Sequence, residues 1–158
     1  LAGIELRRRN VAIRTYIAES GVDYVFFDCP PSLGLLTLNA LVAATEILVP
    51  IQTEYYALEG VSQLMRTIDR VKGNLNDDLA LSTILLTMVD SRTNLSREVA
   101  DEVRKHFPAQ TLDVEIPRSV KVAEAPSFGQ SVVTYQPKSV GAVAYLDAAR
   151  EIANQGKG

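Results

Sequence analysis

Four short apolar runs constrain this chain more than any other feature, because each ends on a polar or conformationally restricted residue. Tyr24–Phe27 leads into Asp28, Glu46–Ile51 into Gln52 and Glu54, Ala80–Met88 into Asp90, and Thr111–Ile116 into Pro117 and Arg118. Runs of this length read as buried strands of a parallel sheet. Segments of helical period lie between them. Residues 4–19 lead to Gly21, which suits a glycine C-cap. Pro30 and Pro31 stop the first strand, and Ser32 is placed to cap a helix over residues 33–44. From Val61, the positions Leu64, Met65, Ile68 and Val71 fall on one helical face that closes at Gly73. Leu95, Val99, Val103 and Phe107 recur four apart, with Asp101 and Lys105 paired on the outer side. Ser139 begins a last helix whose buried face takes Ala142, Tyr145, Ala149 and Ile152. This alternation predicts one α/β domain over residues 1–158, a doubly wound, largely parallel sheet with helices on both faces.

Composition narrows the chemistry. The single cysteine, Cys29, excludes an intrachain disulfide and supplies no metal-ligand cluster. It reads as a small residue packed beside a site rather than a nucleophile, since no base lies near it in sequence. His106 falls at the end of a helix, where it favours the dipole. No apolar run is long enough to span a bilayer. The arginines Arg7, Arg8 and Arg9 exclude a signal peptide over the first twenty residues and read as solvated surface. A net charge of −3 gives no global electrostatic argument for nucleic acid, so any DNA surface has to be a local patch.

In open parallel sheets, ligands bind beyond the carboxyl ends of the strands. The residues there, Asp28, Gln52, Glu54, Asp90, Pro117 and Arg118, are therefore expected to converge. Asp28 is the sharpest of them. A carboxylate ending a buried strand needs a compensating charge or several donors, and either magnesium or backbone amides would meet that need.

The segment Tyr24–Leu41, with Phe27-Asp28-Cys29-Pro30-Pro31-Ser32-Leu33-Gly34 at its centre, resembles the Walker B region of the ParA/Soj group of partition ATPases. Val49–Gly60, Leu86–Leu95, Ile116–Ser127 and Ser139–Tyr145 resemble further blocks of that family, in the family's order. The resemblance implies an incomplete P-loop NTPase-like fold and an intact protein that binds ATP and Mg2+. It also implies a homodimer when ATP-bound, nonspecific DNA binding and a ParB-like partner protein. The setting implied is cytoplasmic and nucleoid-associated, with no membrane partner. On this match Asp28 is the catalytic-site carboxylate holding Mg2+ through water. Glu54 lies where related ATPases reach the partner subunit's nucleotide, and Asp90, Pro117 and Arg118 surround the adenine. For DNA, the resemblance points to Lys121 first, then Arg118, Arg97, Arg104 and Lys105. Glu98, Asp101 and Glu102 interleave the helical arginines and lysine and weaken them as a patch.

The 158 residues contain no Gly-x-x-x-x-Gly-Lys-[Ser/Thr] loop. Backbone amides of that loop supply most of the phosphate grip in such sites. The expectation is a C-terminal portion that alone neither binds ATP tightly nor hydrolyses it, with exposed sheet edges. Two other readings stand beside it. A non-catalytic interaction module would keep the fold without the loop. A MinD-like membrane ATPase would need a basic amphipathic last helix, whereas this one carries Asp147, Arg150 and Glu151.

Overall fold

The computed structural model describes residues 13–30 and 34–155. The elements in chain order are α1 (residues 13–20), α2 (Leu35–Ala43), β1 (Glu46–Gln52), α3 (Ala57–Asn74), β2 (Ala80–Thr87) and α4 (Asn94–His106). They are followed by α5 (Val120–Glu124), a 3-10 turn (Ala125–Phe128), α6 (Val132–Tyr135) and α7 (Val140–Gln155). Contacts divide the chain into two units, Leu1–Ile47 with Gln63–Ala80, and Leu48–Ser62 with Leu81–Gly158.

The first unit packs α2 against α3. Leu41 and Val42 meet Ile68, Val71 and Leu79, with Leu38, Leu64, Met65 and Leu75 closing around them. The helical spacing expected from Val61 is therefore the buried face of α3, although the helix begins earlier and continues to Asn74. A buried side chain, Asn76, secures the end of α2. Its Nδ2 donates to the carbonyls of Leu41 and Ala44 at 2.9 and 2.7 Å, and its Oδ1 accepts from Arg14 Nη2 at 2.9 Å. These are carbonyls that a helix C-terminus leaves without intrahelical donors. Gly21 has φ 68°, the left-handed conformation of a helix-terminating glycine.

The expected strand at Tyr24–Phe27 is not formed. These residues join no ladder, and Val22, Tyr24, Val25, Phe26 and Phe27 are all exposed. Apolar composition alone cannot fix a strand; it needs a neighbour to pair its amides, and none of the described residues supplies one. The Ser32 cap lies outside the described residues, and Gly34 occupies the N-cap position of α2.

The second unit is built on β2. Thr53 N donates to Thr87 O within this unit, and Ala80 N donates to Thr45 O within the first, so β1 and β2 run parallel. Thr83 to Leu86 are buried in succession, the mark of a strand covered on both faces, while β1 alternates. Beyond β2, Leu112 N donates to Ile84 O and Ile116 N to Leu86 O. The expected strand over Thr111–Ile116 is reduced to parallel bridges at Ile84–Thr111 and Val89–Pro117. Val114 N, in phase between the Leu112 and Ile116 amides that face β2, donates instead to Glu151 on α7 at 3.1 Å, and Asp113 N donates to the same carboxylate at 2.8 Å.

Val99 and Val103 bury the inner face of α4, but Leu95 is exposed and Phe107 caps the helix. Lys105 pairs with Glu102, not Asp101, at 3.5 Å. On α7 the buried face runs through Ala142 and Ala148, with Tyr145 and Ile152 beside them; Ala149 is exposed. Ser139 Oγ accepts from Ala142 N at 3.3 Å, as a cap does. At the start of α7, a Cβ added to Gly141 would lie 2.5 Å from Val122 Cγ2. Glycine is what lets α7 approach α5 this closely.

Candidate functional site

Three loops follow the carboxyl ends of the second unit's strands, and backbone pairing fixes their spacing. Val89 N donates to Ile116 O at 3.1 Å and Arg118 N to Val89 O at 3.0 Å, so the loop after β2 lies alongside Pro117 and Arg118. Arg118 Nη2 reaches Glu54 Oε1 at 3.2 Å, which ties in the loop after β1. Glu54, Asp90, Pro117 and Arg118 are therefore brought together, as expected. Asp28 belongs to the first unit.

Asp90 is held by its own loop. Arg92 Nε and Nη2 donate to Asp90 Oδ1 and Oδ2 at 2.9 and 2.7 Å, and Arg92 N adds a third bond at 3.1 Å. This fork, with a lesser contribution from the charge of Arg118, holds the Asp90 carboxyl well below the usual carboxylate range. It also raises the Arg92 guanidinium.

A second device lies beneath, which sequence reasoning missed. Thr53 Oγ1 and Ser96 Oγ are 2.6 Å apart and buried, and Asp90 N donates to Ser96 Oγ at 3.0 Å. Thr53 Oγ1 also lies 3.4 Å from Met88 O. Met88 has φ 55°, a left-handed conformation unusual for a non-glycine residue and costing about 1–2 kcal/mol. Thr93 caps α4 by accepting from Ser96 N at 3.3 Å. Tyr55 and Tyr56, directly after Glu54, stand edge to face with centroids 5.2 Å apart and are both about three-quarters exposed. The exposed aromatic pair was readable as the dipeptide after Glu54; the Thr53–Ser96 pair had no local signal.

Asp28 is exposed, so the burial cost expected of it does not arise, and Cys29 is exposed rather than packed. Asp28 thus presents a hard oxygen donor at the surface. Magnesium commonly takes one or two carboxylates with phosphates and water, and an exposed aspartate fits that mode. No group of three or more metal-ligating side chains occurs among the described residues.

Of the basic candidates, Lys121 on α5 bonds Glu124 Oε2 at 2.9 Å, which raises its ammonium. Tyr135 OH contacts the same oxygen at 3.4 Å. Arg104 is half-enclosed against Glu115 at 2.8 Å, Lys105 meets Glu102, and Arg97 bonds Asn94. His106 Nδ1 lies 2.9 Å from the Glu102 carbonyl in the last turn of α4, in keeping with its expected place at a helix end.

A family model described as an AAA domain matches residues 5–81. The chromosome partitioning protein ParA of Myxococcus xanthus is 53% identical over 148 residues, covering 94% of this chain and 51% of that protein. The chain belongs to the ParA/Soj family. The sporulation initiation inhibitor protein Soj of Bacillus subtilis is 46% identical over 163 residues, covering 99% of this chain and 64% of its own length. This ParA/Soj sequence thus spans between half and two thirds of those relatives. Among solved structures, cobyrinic acid a,c-diamide synthase from Mycobacterium smegmatis with bound ADP and magnesium superposes with a TM-score of 0.71 at 38% identity, over 94% of this chain and 54% of that one. The fold is the partial α/β architecture of P-loop NTPases, as the family resemblance implied; the strand–helix alternation by itself predicted the α/β class. No helix of the described residues is long and apolar enough to cross a membrane.

Proposed function

We propose that this chain forms part of an ATP-dependent DNA partitioning protein and supplies the base side and magnesium aspartate of its nucleotide site. The observation that carries the reading is the convergence of Glu54, Asp90, Pro117 and Arg118 at the strand ends of a ParA/Soj-family chain. In this reading Asp90, Pro117 and Arg118 surround the adenine, and Glu54 faces the nucleotide of a partner subunit. Asp28 holds Mg2+ through water; the ion would neutralise phosphate charge when bound. Lys121 leads a local DNA-contacting patch, with Arg118 and the α4 residues Arg97, Arg104 and Lys105 in support. The working protein is a cytoplasmic, nucleoid-associated dimer that answers to a ParB-like partner. The 158 residues alone hold no phosphate loop and neither grip ATP tightly nor hydrolyse it.

The test uses a fusion that adds to this chain the part of Myxococcus xanthus ParA lying outside the matched region. Retention of plasmid DNA is measured with ATP–Mg2+ and with ADP–Mg2+. Retention with ATP alone is expected; retention with neither nucleotide contradicts the reading.

A further inference from the structure

The loop carrying Asp90 and the loop carrying Glu54 meet at one buried point. Asp90 N–H donates to Ser96 Oγ, which leaves the serine proton for Thr53 Oγ1 at 2.6 Å. The threonine proton is then directed to Met88 O at 3.4 Å. The three bonds form a continuous relay with one consistent direction, Asp90 N–H to Ser96 to Thr53 to Met88 O. Its two ends bracket Val89, the residue that pairs with Pro117. Met88, whose carbonyl ends the relay, is in a left-handed conformation. Ser96 and Thr53 are 2% and 4% exposed, so water does not compete for these hydroxyls.

We infer that Ser96 is a positioning residue: through Thr53 and the Asp90 amide it makes the base-side loop and the Glu54 loop move as one body. The inference rests on the nucleotide reading given above. Asp90 and Glu54 touch opposite parts of the site in that reading, one the base and the other the partner's nucleotide. A rigid link between them makes recognition of the base and seating of the partner interdependent. Arg118 joins the same body from the third loop through Glu54. Ser96 itself touches no ligand and acts only through its two partners.

Amide exchange in the 158-residue chain tests the link directly. In Ser96→Ala the Asp90 amide loses its acceptor, and its exchange is expected to speed up at least tenfold, along with that of Glu54. The amides of Ile84 and Leu112, bonded elsewhere along β2, should keep their protection. Thr53→Val removes the other hydroxyl with little change in shape. It should free the Glu54 loop while leaving the Asp90 amide protected by Ser96. A uniform rise at all sites, or no change at Asp90, overturns the inference. The Myxococcus fusion adds a functional readout. There Ser96→Ala should cut the preference for ATP over GTP about tenfold with magnesium dependence unchanged. If the unaltered fusion binds ATP and Ser96→Ala leaves that preference intact, the positioning role fails. If the unaltered fusion binds no nucleotide, the nucleotide reading fails, and the exchange result alone decides whether the loops are linked.

Discussion

Arg118 and Glu54, sixty-four positions apart in sequence, meet at 3.2 Å and draw the loops after two parallel segments into one cluster. Both side chains are roughly half exposed, so the pair is screened and contributes less than about 1 kcal/mol to folding. Arg118→Ala should therefore leave the urea midpoint of the chain nearly unchanged. In the Myxococcus fusion the same substitution should weaken ATP binding about tenfold, the loss expected for one charge-assisted contact. Calorimetric titration beside a urea melt checks both parts.

Asp90 gives a pH prediction with a definite sign. Its folded pKa lies below the unfolded value of about 3.9, chiefly through the Arg92 side-chain fork. The fork's contribution is fully present above that value and is lost as pH falls through the depressed folded pKa. Carboxyl carbon shifts of Asp90 should show no inflection within the ordinary carboxylate range. In Arg92→Gln the inflection should return toward the ordinary carboxylate range.

Gly141 sets the distance between α7 and the short helix that carries Lys121. Gly141→Ala forces its methyl against Val122 and should destabilise the chain by about 1–3 kcal/mol. Adding Val122→Ala should recover part of that loss in a thermal melt, because the clash is with that side chain. An additive double variant would show that the contact is not the cause.

Lys121 is the exposed cation that the DNA reading ranks first, although Glu124 already pairs with it. Lys121→Glu in the fusion should lower DNA affinity about tenfold at low salt and flatten its salt dependence. ATP affinity should be unchanged. Equal DNA affinity in the variant and the parent would remove Lys121 from the patch.

What the sequence disclosed follows from where each interaction is encoded. β1, β2, α2, α3, α4 and α7 were legible because their apolar periods are local. Tyr24–Phe27 has strand composition, yet pairing depends on a neighbour, and the described residues provide none. Thr111–Ile116 is reduced to bridges, and its Val114 amide bonds Glu151, a side chain that arrives from α7. The choice between Ala148 and Ala149 turns on about one residue of helical phase, which small side chains do not resolve. Glu54, Asp90, Pro117 and Arg118 were found because strand ends point to one edge. Thr53 and Ser96 escaped, since two ordinary hydroxyl residues forty-three positions apart carry no pattern.

The central claim is that this chain supplies half of an ATP–magnesium site, with Asp28 as its metal-side carboxylate. Magnesium-dependent ATP turnover should be measured for the 158-residue chain, for the Myxococcus fusion, and for the fusion carrying Asp28→Ala. The account predicts turnover by the fusion alone, lost in Asp28→Ala and absent from the isolated chain. Turnover that survives Asp28→Ala, or a fusion that folds and binds no ATP, would contradict it.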